Sequence, residues 1–577
     1  MSLPKIVLDH ALSWSQNSFF DYETRKEIEF LINSKNEKEL INRFYRDLEF
    51  GTGGMRGIMG AGTALFNVYN VRRASEALAL YLQKIHGNKG LKIALSYDSR
   101  FHSRRFAEVA CEVFAYNGIS CLLTQDMRPV PMLSFMVRQY QCDAGVCITA
   151  SHNPAQYNGY KIYWSSGGQL CPPHDAHILK YYNECKDYSS IKFSVFSEAK
   201  KQQKIREISS ELDKAYFDKL KTVSLFQGNR NLKIVYSSLH GTGIHILPDA
   251  LKIFGFEDLT IVDEQAVPDG RFPTVVSPNP EERKSLEMAL DLGKKVNADV
   301  VLATDPDADR LGVVVREDKE WKLFTGNQMG ALLFDFVLSN LKKQNKLPLY
   351  SLTIKTVVTS DLLLAISKHY GVHCEETLTG FKWICNLTED YESGNLKPYK
   401  QFICGAEESY GFLMGTFVRD KDAVLSSLVV CEMIAYYKSL NKHLSEALSD
   451  LYKVHGLYHE HLESLTLPGK DGEEKIRQIM KDYRANPPHK LGEYVVLKVV
   501  DYLNTQETKL PKSDVLEYLV RGGRVTLRPS GTEPKIKIYI SVFADAQTTN
   551  MNYLKTEENL ELMAKELLSS FMNKMKH

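Results

Sequence analysis

Residues 300–312 read VVLATDPDADRLG. Val300 to Ala303 are apolar, as in a strand buried on both faces, and Asp305, Asp307 and Asp309 then follow on alternate residues with Arg310 adjoining. Three carboxylates so close repel one another unless a cation joins them. Hard oxygen ligands at this spacing suit Mg2+, which keeps positions open for phosphate oxygens or water. The rival reading is a solvated acidic turn or an aspartate capping a helix.

Working outward, the same grammar recurs: a short run of Val, Ile and Leu, a Gly- or Asp-containing turn, then a helical pattern. Leu91–Leu95 leads to Tyr97-Asp98-Ser99-Arg100, and Gly145–Ile148 leads to TASHNP at 149–154. Leu232–Tyr236 leads to the turn at Gly241 and Gly243. Leu352–Val358 precedes a helix from Ser360, and Gln401–Cys404 precedes GAEESYG at 405–411. Strands alternating with helices predict three α/β domains, with the motifs at the carboxyl ends of the strands. The chain ends differently: strands Arg524–Leu527 and Lys535–Val542 flank RPSGTEP, and a charged amphipathic helix follows near 556–575, which predicts an α+β unit. Linkers are expected near 190–210, 316–326 and 455–475, where Lys, Glu, Ser and Gly accumulate. The threefold similarity is one of pattern, without a close sequence repeat.

At 577 residues the chain has room for about four domains of roughly 150 residues each. Its 72 Lys and Arg balance 71 Asp and Glu, so no global field holds nucleic acid or an anionic membrane, and any anion site must be local. The ten cysteines include no C-x-x-C pair and fall mostly in apolar stretches, as expected for reduced, buried thiols. Charged residues Asp9, Asp21, Glu23, Arg25, Lys26 and Glu27 interrupt the start of the chain, and no apolar run approaches the roughly 18 residues of a membrane span. The expectation is a cytoplasmic protein without membrane or nucleic-acid partners.

Three further loops carry chemistry. In TASHNPAQYNGYK, Ser151 stands directly after a buried strand, with His152, Asn153 and, ten residues on, Lys161. A serine accepts a phosphoryl group only with a cation beside it and donors around the transferred group, which Lys161 and a metal would supply. Otherwise Ser151 and Asn153 cap the next helix and His152 is a structural imidazole. In GAEESYG, Glu407 and Ser409 suit sugar hydroxyls, although Glu407 could equally pair with an arginine; Lys382 stands upstream in TGFKW, with Arg419 and Lys421 downstream in RDKDA. In RPSGTEP, Arg528, Ser530, Gly531 and Thr532 combine a guanidinium, two hydroxyls and free backbone N–H groups into a phosphate nest, or else form an ordinary hairpin. The Gly-rich turn GTGGMRG at 51–57 adds Arg56 as another anion contact.

TASHNP, DPDADR, GAEESYG and RPSGTEP occur in the order found in the α-D-phosphohexomutases, and the resemblance covers nearly the whole chain. With GTGGMRGIMGAG, TLTGFKW, EESYGFLMG and RDKDA, it is nearest to the branch of Gram-positive-type bacterial phosphoglucomutases and phosphopentomutase-like enzymes. The resemblance implies three α/β domains around a central cleft and a C-terminal TBP-like domain, expected at 1–205 (phosphoserine), 206–322 (metal), 323–460 (sugar) and 461–577 (phosphate). It implies that Ser151 carries the phosphoryl group, and that Asp305, Asp307, Asp309 and a Ser151 phosphoryl oxygen bind Mg2+. Lys161 and Arg56 would flank the transferring group, and Lys421 would lie near the reacting hydroxyl, although Phe417-Val418 replaces the muscle-type sequence before RDKDA. His152, Arg310, Lys382, Glu407 and Ser409 would contact substrate, and Arg528, Ser530, Gly531 and Thr532 the non-reacting phosphate. The expected reaction interconverts glucose 1-phosphate and glucose 6-phosphate through glucose 1,6-bisphosphate, which also serves as activator, in a monomer or weak dimer. Mannose or pentose phosphates are the alternatives within the family; a phosphatase and a non-catalytic sugar-phosphate sensor are the alternatives outside it.

Overall fold

The computed structural model describes residues 3–51, 53–87, 90–467, 470–530 and 535–576. The chain divides into two units, the first comprising Met1–Ser224, Asn231–Trp321 and Thr416–Leu428, the second Leu225–Arg230, Lys322–Gly415 and Val429–His577. The first unit is therefore discontinuous, and the short segment 416–428 returns to it after an excursion of almost a hundred residues.

Two sheets form the first unit. The larger has seven strands in the order Phe50–Gly51, Gly54–Ile58, Tyr157–Trp164, Ala144–Ile148, Lys92–Tyr97, Ser120–Thr124 and Ile205–Ile208. Every residue of Ala144–Ile148 is buried, as expected for a parallel strand covered on both faces. Helices Val68–His86, Ser103–Tyr116 and Val130–Gln139 supply that cover with their apolar faces. The first of them starts where the Asn67 side chain accepts from the backbone N–H groups of Tyr69 and Asn70. Ahead of the sheet, helices Lys5–Gln16, Tyr22–Asn33 and Glu37–Phe44 bury Trp14, Phe20, Phe44 and Tyr69 in a separate core. The second sheet runs Glu320–Leu323, Leu311–Glu317, Val300–Thr304, Ile234–Ser237, Leu259–Ile261.

The second unit holds a four-stranded sheet, His373–Thr377, Ser351–Thr356, Gln401–Glu407, Gly411–Met414, and a six-stranded one with antiparallel neighbours throughout, from Leu457–Thr466 through Lys535–Ala544, Gly523–Pro529, Leu516–Val520 and Tyr494–Asp501 to Lys490–Leu491. The predicted three α/β sheets and a final α+β unit are all present.

Numbering four core strands of each α/β sheet in chain order, all three have the spatial order 2-1-3-4, with strands 1, 2 and 3 parallel and strand 4 antiparallel. TASHNP, DPDADR and GAEESYG each join strand 3 to strand 4. The expected helix after these motifs is thus corrected to an antiparallel strand. The reason is local: Ser151, Ala308 and Tyr410 adopt left-handed backbone with φ of 51°, 50° and 63°, which reverses the chain, and the residues that follow are rich in β-formers.

The expected linkers are likewise filled. Strand Ile205–Ile208 pairs with Ser120–Thr124 and carries the first sheet past the boundary expected at 205, Leu311–Glu317 and Glu320–Leu323 enter 316–326, and Leu457–Thr466 starts the last sheet before 461. Polar composition there marks the edge strands Ile205–Ile208, Glu320–Leu323 and Leu457–Thr466 rather than open chain. All ten cysteines are free, and only Cys185 and Cys374 are partly exposed. No single helix among the described residues is long and apolar enough to cross a membrane.

Candidate active site

Ser151 is buried at 3% exposure, and its Oγ donates to Asp305 Oδ2 at 2.8 Å. The turn is fixed from beneath by a residue without an assigned role in the sequence reading, Arg100. One guanidinium nitrogen donates to the Ser151 carbonyl at 2.5 Å and to the Asn153 carbonyl; the other reaches Pro154 O at 2.9 Å and Tyr157 O at 3.0 Å. Asp98, 3.3 Å from Arg100 Nε, balances the charge. Burial lowers the Arg100 pKa to about 10 against the pull of Asp98, which leaves it charged at neutral pH. The Thr149 hydroxyl accepts from Ser151 N at 2.9 Å and donates to Asp307 Oδ2 at 3.2 Å. The turn is held by this network rather than by capping a helix, so the helix-cap reading of Ser151 and Asn153 is corrected.

Asp305, Asp307 and Asp309 are fully or almost fully buried, and one carboxylate oxygen from each lies within 4.8 Å of the others. The backbone N–H groups of Asp309 and Arg310 both donate to Asp305 Oδ1 at 3.0 Å. Gly241 lets a neighbouring loop approach this turn, since a Cβ there would lie 2.3 Å from Pro306 Cα. Lys161 Nζ sits 2.8 Å from Asp307 and 3.4 Å from Asp309, and Lys421 Nζ 2.8 Å from Asp309. Burial opposes the charge on Asp307, yet Lys161 holds its carboxyl far below the usual range; burial likewise works against Lys161, whose pKa is nevertheless raised by Asp307 and Asp309. Asp305 is pushed well up by burial and by its two acidic neighbours. Asp307 Oδ1 and Asp309 Oδ1 are shut off from solvent and without a hydrogen-bond partner among the described residues. Buried, unmatched carboxylate oxygens converging from three residues suit a hard divalent cation, and the solvated-turn reading is corrected by their burial.

His152 faces both Ser151 Oγ, at 3.3 Å, and the Arg310 guanidinium, which also pairs with Glu281 at 3.3 Å. Arg56 lies on strand Gly54–Ile58 rather than in a Gly-rich turn, and its Nη1 donates to Asn153 Oδ1 at 2.7 Å. Lys421 arrives on segment 416–428, which is anchored by Tyr163 donating to Asp420 at 2.5 Å, Tyr216 donating to Asp422 at 2.7 Å, and Arg419 N donating to Ser134 Oγ at 2.7 Å. Asp420 and Asp422 were readable only as part of RDKDA, and nothing in the sequence pairs them with their tyrosines.

The first unit thus gathers Ser151, His152, Arg56, Lys161, Arg310, Lys421 and the three aspartates. The second unit carries the remaining candidates. Glu407 is buried at the end of Gln401–Glu407, Ser409 is half-buried two residues on, and Lys382 lies over the Trp383 ring at 4.9 Å. Arg528, on Gly523–Pro529, reaches the Tyr539 hydroxyl at 3.5 Å, and Ser530 N donates to Lys535 O at 2.7 Å. Gly531 and Thr532 lie outside the described residues.

Four successive segments match one family, described as phosphoglucomutase/phosphomannomutase: its alpha/beta/alpha domains I, II and III at residues 47–189, 214–319 and 325–455, and its C-terminal domain at 468–551. The phosphoglucomutase of Staphylococcus saprophyticus is 34% identical over 523 residues, covering 88% of this chain and 93% of its own, and that of a Staphylococcus aureus strain is 34% identical over 526, covering 89% and 93%. The fold is shared with the exocytosis-sensitive phosphoprotein pp63/parafusin, a Paramecium phosphoglucomutase in open form, at a TM-score of 0.65 and 19% identity over 92% of this chain and 96% of that one. A phosphoglucomutase/phosphomannomutase family protein from Burkholderia thailandensis also superposes at 0.65, with 18% identity over 90% and 97% of the two chains. The chain therefore belongs to the phosphoglucomutase/phosphomannomutase family and is a phosphohexomutase enzyme.

Proposed function

We propose that the protein interconverts glucose 1-phosphate and glucose 6-phosphate through a phosphoserine at Ser151 and a glucose 1,6-bisphosphate intermediate, in the cytoplasm. The observation that carries the reading is Ser151 Oγ lying 2.8 Å from Asp305 Oδ2, beside an acidic triad that two lysines already neutralise in part. Asp305, Asp307 and Asp309, with an oxygen of the Ser151 phosphoryl group, would hold Mg2+. The bound ion would withdraw charge from the phosphoryl group during transfer.

The chain's own residues do the rest. Arg100 and Thr149 aim Ser151, and Lys161, Lys421 and Arg56 bring positive charge to the phosphoryl oxygens. The P–O bond to Ser151 breaks as a P–O bond to the sugar 6-hydroxyl forms, and the proton lost by that hydroxyl ends on Ser151 Oγ. The bisphosphate then turns end for end and returns its 1-phosphoryl group to Ser151. Glu407, Ser409 and Lys382 would hold the sugar hydroxyls, with His152 and Arg310 as further substrate contacts. Arg528, Ser530, Gly531 and Thr532 would hold the phosphate that does not react, so the nest must accept either end. A binding-only sensor has no use for a serine set against a buried acidic triad.

Steady-state kcat/KM for glucose 1-phosphate, mannose 1-phosphate and ribose 1-phosphate, each with a trace of the matching bisphosphate, tests the reading. It requires glucose 1-phosphate to win. A larger value for mannose or ribose transfers the same chemistry to that sugar.

A further inference from the structure

Within the second unit a line of polar contacts joins the sugar loop to the phosphate strand. Glu408, next to Glu407, accepts from the hydroxyls of Thr356 and Thr359 at 3.3 Å each. Lys355 is fully buried; its ammonium donates to the Thr359 carbonyl at 3.1 Å and pairs with Glu376 at 2.6 Å and Asp361 at 2.8 Å. The same Asp361 oxygen accepts from Arg524 at 3.0 Å, and Arg524 also reaches the Thr359 carbonyl at 3.3 Å and lies 3.8 Å from Glu517. Lys355 belongs to the third α/β sheet and Arg524 to the six-stranded sheet. Asp361 is thus the pivot between them. Tyr539, on a strand of the six-stranded sheet, and Val357, Val358, Leu378, Tyr502 and Val515, at strand ends of the same two sheets, form a buried apolar cluster. Asp361 keeps 37% of its side chain exposed, but the Lys355 ammonium it pairs with is fully buried, so the pair fixes geometry more firmly than one wholly in water.

Arg524 and Arg528 stand four residues apart on one strand, an even spacing that puts both side chains on the same face. A shift that frees Arg524 therefore carries Arg528 with it. We propose that Asp361, with Lys355 and Arg524, is a positioning element that sets the distance between the sugar loop at Glu407–Ser409 and the phosphate contact at Arg528, and so discriminates sugar phosphates by the span between their hydroxyls and distal phosphate. This rests on the assignment of Arg528 to the non-reacting phosphate.

The test compares glucose 1-phosphate with ribose 1-phosphate, one carbon shorter. Asp361→Asn keeps the shape but removes the charge: KM for the sugar the wild type prefers should rise roughly fivefold or more with kcat changed little, and the ratio of the two kcat/KM values should fall at least threefold. Asp361→Glu should restore most of that ratio. If Asp361→Asn does not fold, Arg524→Lys, which keeps the charge but loses the planar fork, is measured in the same way. A folded variant with unchanged KM and unchanged ratio overturns the positioning role. Arg528→Ala separates the two ideas, because an effect there without one at Asp361 leaves the phosphate assignment standing, whereas no effect at Arg528 removes the assignment itself.

Discussion

Lys161 and Lys421 in the first unit have side chains 13% and 8% exposed and are already ion-paired with the acidic triad, whereas Arg528 in the second unit is half-buried and reaches the Tyr539 hydroxyl at 3.5 Å. In the first arrangement the lysines are in place without substrate. Its charges sit at low dielectric and already fixed, which is where electrostatic stabilisation of a transferring group is strongest. The second places a half-buried guanidinium within reach of solvent, as suits the proposed site for taking up and releasing a phosphate. The contrast sets a buried, ion-paired region, proposed for transfer, against a more exposed one, proposed for recognition, and each of the substitutions below strains or refines it.

Ser151→Ala should have the largest effect, lowering kcat by roughly four orders of magnitude or more while leaving the thermal midpoint within a few degrees. Intact mass should show a phosphoryl adduct on the wild type and none at this site in the variant. Substantial turnover by Ser151→Ala would sink the transfer region as drawn. Arg100→Leu comes next, because it leaves Asp98 buried without its partner; a loss of about 3–5 kcal/mol in denaturant unfolding is expected. A variant as stable as wild type would mean that the Ser151 turn holds itself.

Chelation should abolish activity and Mg2+ restore it, and Asp307→Asn should cost about 10²- to 10³-fold in kcat. Full activity after exhaustive chelation would reduce the triad to a structural turn. Arg528→Ala should spare the chemistry yet lower kcat/KM about tenfold or more, mainly through KM, since one charge-assisted phosphate contact contributes about 1.5–3 kcal/mol. Free glucose 1,6-bisphosphate should also accumulate; a kcat effect alone would erase the contrast between the regions.

The smallest effect concerns pH. Burial pushes the Glu460 carboxyl up to about 7 from its usual 4.5, with Ser360, Arg524 and Lys355 favouring its charge and Asp361 opposing it. A raised carboxyl stabilises the fold fully below about 4.5, and that contribution is lost as pH rises through about 7. Between pH 5 and pH 8 the wild type should therefore lose about 2–4 °C more in thermal midpoint than Glu460→Gln. Parallel pH profiles for the two proteins would rule this out.

Much of the architecture was legible because buried parallel strands announce themselves: 92–97, 144–148, 300–304 and 401–407 all appear where runs of aliphatic residues end in a polar turn. The strands that follow these loops read as helices in sequence because their direction is decided by one left-handed residue per loop, and Ser, Ala and Tyr give no hint of a positive φ as Gly or Asn would. Ser151 and the three aspartates were legible because their chemistry is carried by adjacent residues. Arg100 and Asp420 were not, since their partners lie 51 or more residues away or depend on the return of segment 416–428. The Asp361 contacts depend likewise on a partner 163 residues distant. Gly531 and Thr532, read from sequence as part of the nest, fall outside the described residues.

That returning segment also sets a timetable for synthesis. Residues 416–428 leave the ribosome almost a hundred residues after Trp321, so at roughly 5–20 residues per second the first unit waits on the order of ten seconds for its last piece. Until then Tyr163 and Tyr216 lack the carboxylates that receive their hydroxyls, and Asp309 lacks Lys421. A nascent chain halted before residue 416 should accordingly hold an unfinished and protease-sensitive first unit, however completely its two sheets have been translated. The first unit is thus completed only after all four strands of the third α/β sheet have been made.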